Sequence, residues 1–194
     1  EAEAFSGRPG RIGPNHRMSM PDKHVPILPS TKVAALLDDY PELEDVLIGL
    51  APPFKKLKNP FLRKSVARVA SLKQAAAVGG MPVSELVNKL RAAVGQPPIA
   101  SDNTDERAAY FSSQPEWFDA ARIVASIDES KTDPDKMPVV AVLQRASLLE
   151  HDEILELITD FLPAPGIEIM KQKGFRVWSS ESAPESIRTY ISKP

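Results

Sequence analysis

The chain has 194 residues, no cysteine and a formal net charge of −2 at neutral pH. The lack of cysteine excludes disulfides, thiolate metal sites and any cysteine nucleophile. The length allows one large or two small domains, and no apolar run is long enough to span a bilayer. Residues 30–99 carry ten Lys or Arg against six Asp or Glu, whereas residues 100–194 carry ten against seventeen. Two parts of opposite charge are therefore expected to attract each other.

The first 25 residues are rich in Gly, Pro and Arg and show no periodicity, which predicts a flexible arm. The opening letters EAEA resemble the remnant of a yeast secretion leader, and Met18 or Met20 looks like a natural start. Residues 1–17 are therefore expected to be leader sequence and carry no functional argument. A nucleic-acid-binding tail is the weaker alternative, because motifs this short arise by chance.

Residues 26–96 are predicted to form a small all-helical domain, because apolar residues recur at helical spacing. Start signals for successive helices are Ser30 or Thr31, Pro41, Asn59-Pro60, Ser71 and Pro82. Breaks are expected at Tyr40, Ala51-Pro52-Pro53, Gly79-Gly80 and Gly95.

A run of basic residues without any acid lies between Asp45 and Glu85. Its members define a predicted basic patch of Lys55, Lys56, Lys58, Arg63, Lys64 and Arg68. Such a patch suits an anionic partner, such as phosphate, nucleic acid or an acidic protein face. The more common explanation is a solvated helix face, or docking onto the acidic second half of the chain.

Residues 97–120 are predicted to be a linker and docking segment. Trp117 and Phe118 would anchor it to the core of the second domain, with ligand stacking as the weaker alternative. Residues 121–194 then give strand and helix signals in the order β-α-β-α-β-β. The strands are predicted at Arg122–Ile127, Ile154–Thr159, Phe175–Trp178 and Ile187–Ile191, and the helices at Pro138–Leu149 and Gly166–Lys173. With both helices on one face of the sheet, this is a two-layer α/β sandwich, and the chain is α+β overall.

The second domain carries a loop and turn motif made of Asp160, Phe161, Pro163, Ala164, Pro165, Gly174 and Phe175. With this motif and the element order, residues 121–193 resemble the SirA/TusA-like fold. They are closest to its uncharacterised branch with an F-x-P-A-P loop. The sulfur carriers of this fold hold a Cys-Pro pair at the start of the first helix, where Met137-Pro138 stands here. Sulfur transfer therefore lacks its nucleophile. Some relatives carry histidine before that proline, so Met137 also removes a ligand for a histidine-based metal or haem site.

The helical domain carries Leu36-Leu37, Tyr40-Pro41-Glu42, the letters FKKLKNP from Phe54 to Pro60, Leu62-Arg63 and Leu72-Lys73-Gln74-Ala75-Ala76. On these residues it resembles a small helical domain of unknown function. That domain is found with hybrid-cluster proteins and with iron–sulfur repair proteins of the Ric/ScdA type. Many relatives carry a cysteine pair after the second helix, where residues 51–54 here read APPF. The two resemblances together imply a bacterial, cytoplasmic protein in redox or nitrogen-oxide metabolism.

Few residues in this sequence are candidates for catalysis or for metal binding. The histidines are His16, His24 and His151, and the common hydrolase, metalloprotease and phosphate-loop motifs do not occur. The acids beside His151 would form one short exposed loop, which offers too few convergent ligands for a metal. We therefore expect no enzymatic activity, no metal and no cofactor.

Strand alternation separates two faces of the predicted sheet. One face would pack Ile123, Ala125, Ile127, Leu155, Leu157, Phe175, Val177, Ile187 and Ile191 against the helices. The open face would carry Arg122, Val124, Ile154, Glu156, Ile158, Arg176, Trp178, Arg188 and Tyr190. Its arginine and aromatic content is typical of an interface, so a partner-binding surface is expected there. Cover of this face within the same chain is an equal alternative. Stacking of single-stranded nucleic acid on Trp178 and Tyr190 is disfavoured by the acidic charge of this half.

A possible ligand loop consists of Met137, Asp160, Phe161, Pro163 and Pro165. Helix N-termini bind anions, but the prolines remove backbone donors and Asp160 repels anions, which favours a structural turn. The leading hypothesis is a non-enzymatic accessory or interaction module in redox or nitrogen-oxide metabolism, with a protein partner or a second copy of the chain. The alternative is a small-ligand or cofactor carrier of the SirA/TusA-like fold, without sulfur transfer. Binding of nucleic acid through the basic patch is the weakest hypothesis.

Overall fold

The structure, a computed structural model, describes residues 25–101, 104–131, 138–183 and 186–194. Residues 1–24 of the predicted arm, and the predicted ligand-loop residue Met137, lie outside these ranges. A helical part over residues 33–93 is followed by a mixed four-stranded sheet with helices. The fold is therefore α+β, as the sequence predicts. Within the described ranges, every helix is too short or too polar to cross a membrane.

The helical part consists of α1 (Val33–Asp39), α2 (Leu43–Leu50), a 3-10 helix (Pro52–Lys58), α3 (Pro60–Val69), α4 (Leu72–Gly79) and α5 (Val83–Ala93). Their inward apolar residues form one core, in which Leu36, Leu43, Leu72 and Leu90 are almost fully buried. This burial at helical spacing is what the apolar pattern of the segment predicts.

The predicted start and stop of α4 are confirmed. Ser71 Oγ accepts a hydrogen bond from the Gln74 backbone N–H at 3.3 Å, and Gln74 Oε1 accepts one from the Ser71 N–H at 2.9 Å. This reciprocal capping box satisfies backbone donors that a helix otherwise leaves open. Gly80 follows the helix with a φ of 65°, a left-handed conformation that glycine adopts without steric cost.

Other predicted helix starts are shifted by local hydrogen bonding. α1 begins after Lys32 rather than after Ser30 or Thr31, because Thr31 Oγ1 accepts a hydrogen bond from the Leu28 N–H at 2.9 Å instead of capping the helix. The remaining shifts are as follows: α2 begins at Leu43 rather than Pro41, α5 begins at Val83 rather than Pro82, and the break expected at residues 51–53 is the start of the 3-10 helix. Proline at the first position of that 3-10 helix lacks only an N–H that would have no helical partner.

The α/β part consists of β1 (Ile123–Asp128), α6 (Pro138–Ser147), β2 (Ile154–Thr159), α7 (Ala164–Gln172), β3 (Arg176–Ala183) and β4 (Ser186–Ser192). The sheet order is β1-β2-β4-β3, with β1 parallel to β2 and the other pairs antiparallel. α7 begins earlier than the predicted Gly166, because Pro165 fits its first turn. β3 extends beyond the predicted Trp178, because it pairs with β4 as far as Ala183.

One face of the sheet packs against α6 and α7. Leu155, Leu157, Val177 and Ile191 form a core there with residues of both helices, including Met170. Further predicted helix-facing residues that pack against this core are Ala125, Ile127 and Phe175. For these residues, the strand alternation of the sequence therefore identifies the side that faces the helices. Ile123, which precedes a register shift in β1, is not part of this core.

A seam of apolar residues joins the helical part to the α/β part. Ala77 of α4 packs with Leu162, with Ala164 and Ile167 of α7, and with Ile187 of β4. All five residues are almost fully buried. The alanines have short side chains, so α4 and α7 can approach each other closely.

Candidate functional site

An apolar cavity of about 140 Å³ lies between the two parts, beside the seam. Phe54 and Leu57 of the 3-10 helix and Val66 of α3 form part of one wall. Phe161 and Met170, before and within α7, form part of the opposite wall. Because both parts contribute walls, the cavity depends on their docking.

The cavity stays open because many wall residues have short side chains. Ala67, Ala70 and Ala75 line it on the helical side, and Pro163, Pro165 and Gly166 line it on the α/β side. Alanine and glycine cannot reach across, and the proline ring is tied to its own backbone. The short side chains on both walls therefore leave an apolar space between the two parts.

The threonines that line the cavity already have hydrogen-bond partners. Thr159 Oγ1 donates to the Phe161 carbonyl oxygen at 2.7 Å, and the Thr189 hydroxyl lies 3.1 Å from the Ser179 hydroxyl. Both threonines are almost fully buried. Apart from Lys56 and Glu129, the lining is therefore apolar in what it offers an occupant.

A charged cluster lies at the solvent side of the cavity. Lys56 Nζ lies 2.9 Å from Glu129 Oε1 and 3.0 Å from Asp160 Oδ1, and 4.0 Å from the centre of the Phe161 ring. The side chain of Lys56 is 34% exposed and that of Asp160 is 62% exposed, so these ion pairs reach solvent. Lys56 belongs to the helical part and the other three residues to the α/β part. The cluster therefore ties the two parts together and holds the Phe161 ring beneath the ammonium group.

The predicted ligand loop contributes one wall of this cavity. Phe161, Pro163 and Pro165 line it, and Asp160 is held in the charged cluster. Met137 lies outside the described residues. Sequence reasoning missed the opposite wall, because Phe54, Leu57 and the short residues of α3 and α4 read as ordinary helical core.

The predicted open face of the sheet is covered in part by the docking segment of the same chain. The Phe118 ring lies 4.7 Å from the Trp178 ring and 4.5 Å from the Tyr190 ring. Trp178 Nε1 donates to the Ser112 carbonyl oxygen at 3.0 Å, and Trp117 lies 5.3 Å from the Arg176 guanidinium. In this region the interface-like composition is therefore explained by cover within the same chain and not by a partner-binding surface.

Most of the other residues predicted on that face are buried or paired within the α/β part, whereas Val124 is 54% exposed. Ile154 is fully buried, and Ile158 is half-buried. Glu156 accepts hydrogen bonds from Arg188 and from Ser126 Oγ, the latter at 2.8 Å, and its carboxylate raises the pKa of Arg188. Two further contacts belong to the same face: Arg122 Nη1 lies 3.0 Å from Asp152 Oδ2, and Arg176 Nη2 donates to Asp152 Oδ1 at 2.6 Å. The hydrogen bond from Arg176 lowers the pKa of Asp152.

The predicted basic patch divides into paired and unpaired cations. Lys56 is in the charged cluster, and Arg63 forms an ion pair with Glu44. Lys55, Lys58, Lys64 and Arg68 are exposed and form no ion pair within the part of the chain that the structure describes. Lys64 and Arg68 are four residues apart on α3 and so share a helix face.

A polar cleft on the interface surrounds Tyr110. Lys32, Lys73 and Lys171 line it together with Glu106 and Glu168. Lys73 Nζ lies 3.2 Å from Glu106 Oε2, and Glu106 is almost fully buried. The pKa of Tyr110 is raised to about 12. Burial of the phenol is the largest cause, and repulsion from the carboxylates of Glu168 and Glu106 adds to it.

Among the described residues, no three His, Asp or Glu side chains lie close enough together to hold a metal ion. His151 is exposed and its Nδ1 lies 3.5 Å from Asp152 Oδ1.

Comparison with known families identifies one part of the chain. Residues 27–87 match a domain of unknown function, DUF1858. This segment runs from α1 into α5, so the predicted small helical domain of unknown function is confirmed for it. The comparisons with curated proteins and with solved structures gave no match.

The raised pKa of Tyr110 predicts a loss of stability in alkaline solution. Because ionisation of this phenol is harder in the folded chain than in the unfolded chain, the free energy of unfolding should fall as the pH rises from about 10 towards 12. Urea unfolding of the wild-type chain and of Tyr110→Phe across this pH window measures the effect. The variant should lose less stability than the wild type. Equal losses in both chains would contradict the assignment.

Proposed function

We propose that this protein is a non-enzymatic binding protein whose two parts close over a small ligand. The observation that supports this most is the apolar cavity of about 140 Å³ at the interface, with walls from both parts. A carrier or sensor needs a site of this kind, whereas an enzyme would also need reactive groups in it. The threonine hydroxyls of the cavity are engaged with protein partners, and Lys56 and Glu129 are paired with each other. Among the described residues, no histidine lines the cavity.

The position of the cavity gives ligand binding a structural consequence. An occupant that contacts Phe54 on one side and Met170 on the other adds contacts between the helical and the α/β part. A ligand that binds the docked arrangement better than a separated one shifts the population towards docking. The ion pairs of Lys56 are partly exposed and so are weak and sensitive to salt. A ligand in the cavity would therefore stabilise the docked arrangement beyond the small contribution of the charged cluster.

Small molecules that enter the cavity should raise the melting temperature of the full chain. At a ligand concentration ten times the Kd, binding contributes about 1.4 kcal/mol, or roughly 3–6 °C for a chain of this size. Thermal unfolding should be measured with a set of charged and neutral compounds of about ten heavy atoms or fewer. Ala75→Leu places a larger side chain against the cavity and should abolish the shift. Ala92→Leu, at an exposed position of α5, is the matched control and should keep it.

If Ala75→Leu does not fold, Val66→Leu provides a smaller addition to another wall residue. If no compound raises the melting temperature of the wild type more than that of a folded, cavity-filled variant, the proposed function is contradicted.

A second candidate function, that of an accessory module for a protein partner, is supported by the exposed cations of the basic patch. Lys55, Lys58, Lys64 and Arg68 offer an exposed positive surface that suits an acidic protein face. The resemblance to domains of iron–sulfur repair and hybrid-cluster proteins is the sole support for a role in redox or nitrogen-oxide metabolism. A SirA/TusA-like identity of the α/β part, a bacterial source and a cytoplasmic location likewise rest on resemblance.

The charge of this surface predicts salt-dependent binding to acidic polypeptide. Poly-glutamate should bind the wild-type chain at low salt, and replacing all four cations by alanine should weaken binding at least about tenfold. Replacing the exposed but ion-paired Lys89 is the control and should change little. Stronger binding to a single-stranded oligonucleotide than to poly-glutamate would favour a nucleic-acid partner instead.

A further inference from the structure

The size of the cavity restricts its occupant to about one small ring or a short branched chain. The volume is about 140 Å³, and a dry apolar cavity of about 150 Å³ accommodates benzene. Ligands of drug size occupy pockets of roughly 300 Å³ or more. Nucleotides, flavins and haem are therefore too large for this space.

The interior offers no free side-chain partner to a polar ligand. Thr159 and Thr189 are engaged with the Phe161 carbonyl and the Ser179 hydroxyl. The charged residues that also line the cavity, Lys56 and Glu129, are paired with each other at 2.9 Å. A hydroxyl or carboxylate moved into the cavity would lose its water and gain no such partner, so its affinity would fall.

The charge at the solvent side excludes ionic ligands by a separate route. Lys56 already bridges the carboxylates of Glu129 and Asp160, so the cluster holds one cation and two anions. An anionic ligand would meet a net negative charge there. A cationic ligand would have to displace Lys56 from both of its partners and from the Phe161 ring.

We propose that the ligand is a neutral, hydrocarbon-like molecule of about one aromatic ring, without a hydrogen-bonding group. This inference rests on the proposed function and adds the chemical class of the ligand. The Phe54 and Phe161 rings and the Met170 thioether in the walls suit an aromatic occupant, because rings pack favourably against ring edges and against sulfur.

Four compounds of matched shape test the ligand class: toluene, phenol, benzoate and benzylammonium. Isothermal titration of the full chain at neutral pH should give measurable binding of toluene. Phenol should bind at least about tenfold more weakly, and each ion at least about a hundredfold more weakly, because their polar groups stay unpaired. Ala75→Leu should abolish the binding of toluene, and Ala92→Leu should preserve it, with Val66→Leu as the second cavity-filling variant.

The outcomes separate the ligand class from the function. If phenol or either ion binds as tightly as toluene, and the cavity-filling variants abolish that binding, the ligand class is wrong while the proposed function stands. If none of the four compounds binds, the proposed function fails and this inference fails with it. If toluene binds equally to the wild type and to both cavity-filling variants, it binds elsewhere, and the inference is overturned.

Discussion

The apolar cavity and the ion pairs of Lys56 depend on the docking of the helical part onto the α/β part. On one side of the interface, Ala77 and Ala164 allow α4 and α7 to pack closely. On the other side, Ala67 of α3 and Ala75 of α4 line the cavity together with Pro163 and Pro165 at the start of α7. Close packing beside short side chains leaves the apolar cavity, and Lys56 closes the arrangement towards solvent. Loss of docking would therefore remove the cavity.

An interface cavity gives a binding protein a simple way to report its ligand. The apolar contacts that an occupant makes favour the docked arrangement, while the partly exposed ion pairs of Lys56 contribute modestly and are screened by salt. Occupancy can then be converted into a change in how the two parts are held, which a partner could detect. The exposed cations on the 3-10 helix and on α3 lie on the same part that supplies one cavity wall. The two candidate functions are related because the ligand and the protein partner would both contact the helical part.

Local signals in the sequence predict much of the fold. Ser71 and Gln74 specify a capping box, Gly80 suits a left-handed turn, and the alternation in β2 identifies the side that faces the helices. The cavity could be predicted only in part, through the proline loop after Thr159. Its second wall depends on which helices meet across the interface, and no spacing within α3 or α4 encodes that. The interface-like composition around Trp178 was visible, but composition does not distinguish a partner from the chain's own Phe118.

Crystals of the full chain exposed to pressurised xenon provide the most direct test. Xenon binds dry apolar cavities of this size and needs no hydrogen bond or charge. We predict a xenon atom between Phe54 and Met170, with the helical part docked on the α/β part, and its absence from the same position in Ala75→Leu. A wild-type structure in which side chains fill this space, or in which xenon binds elsewhere and leaves it empty, would contradict the account.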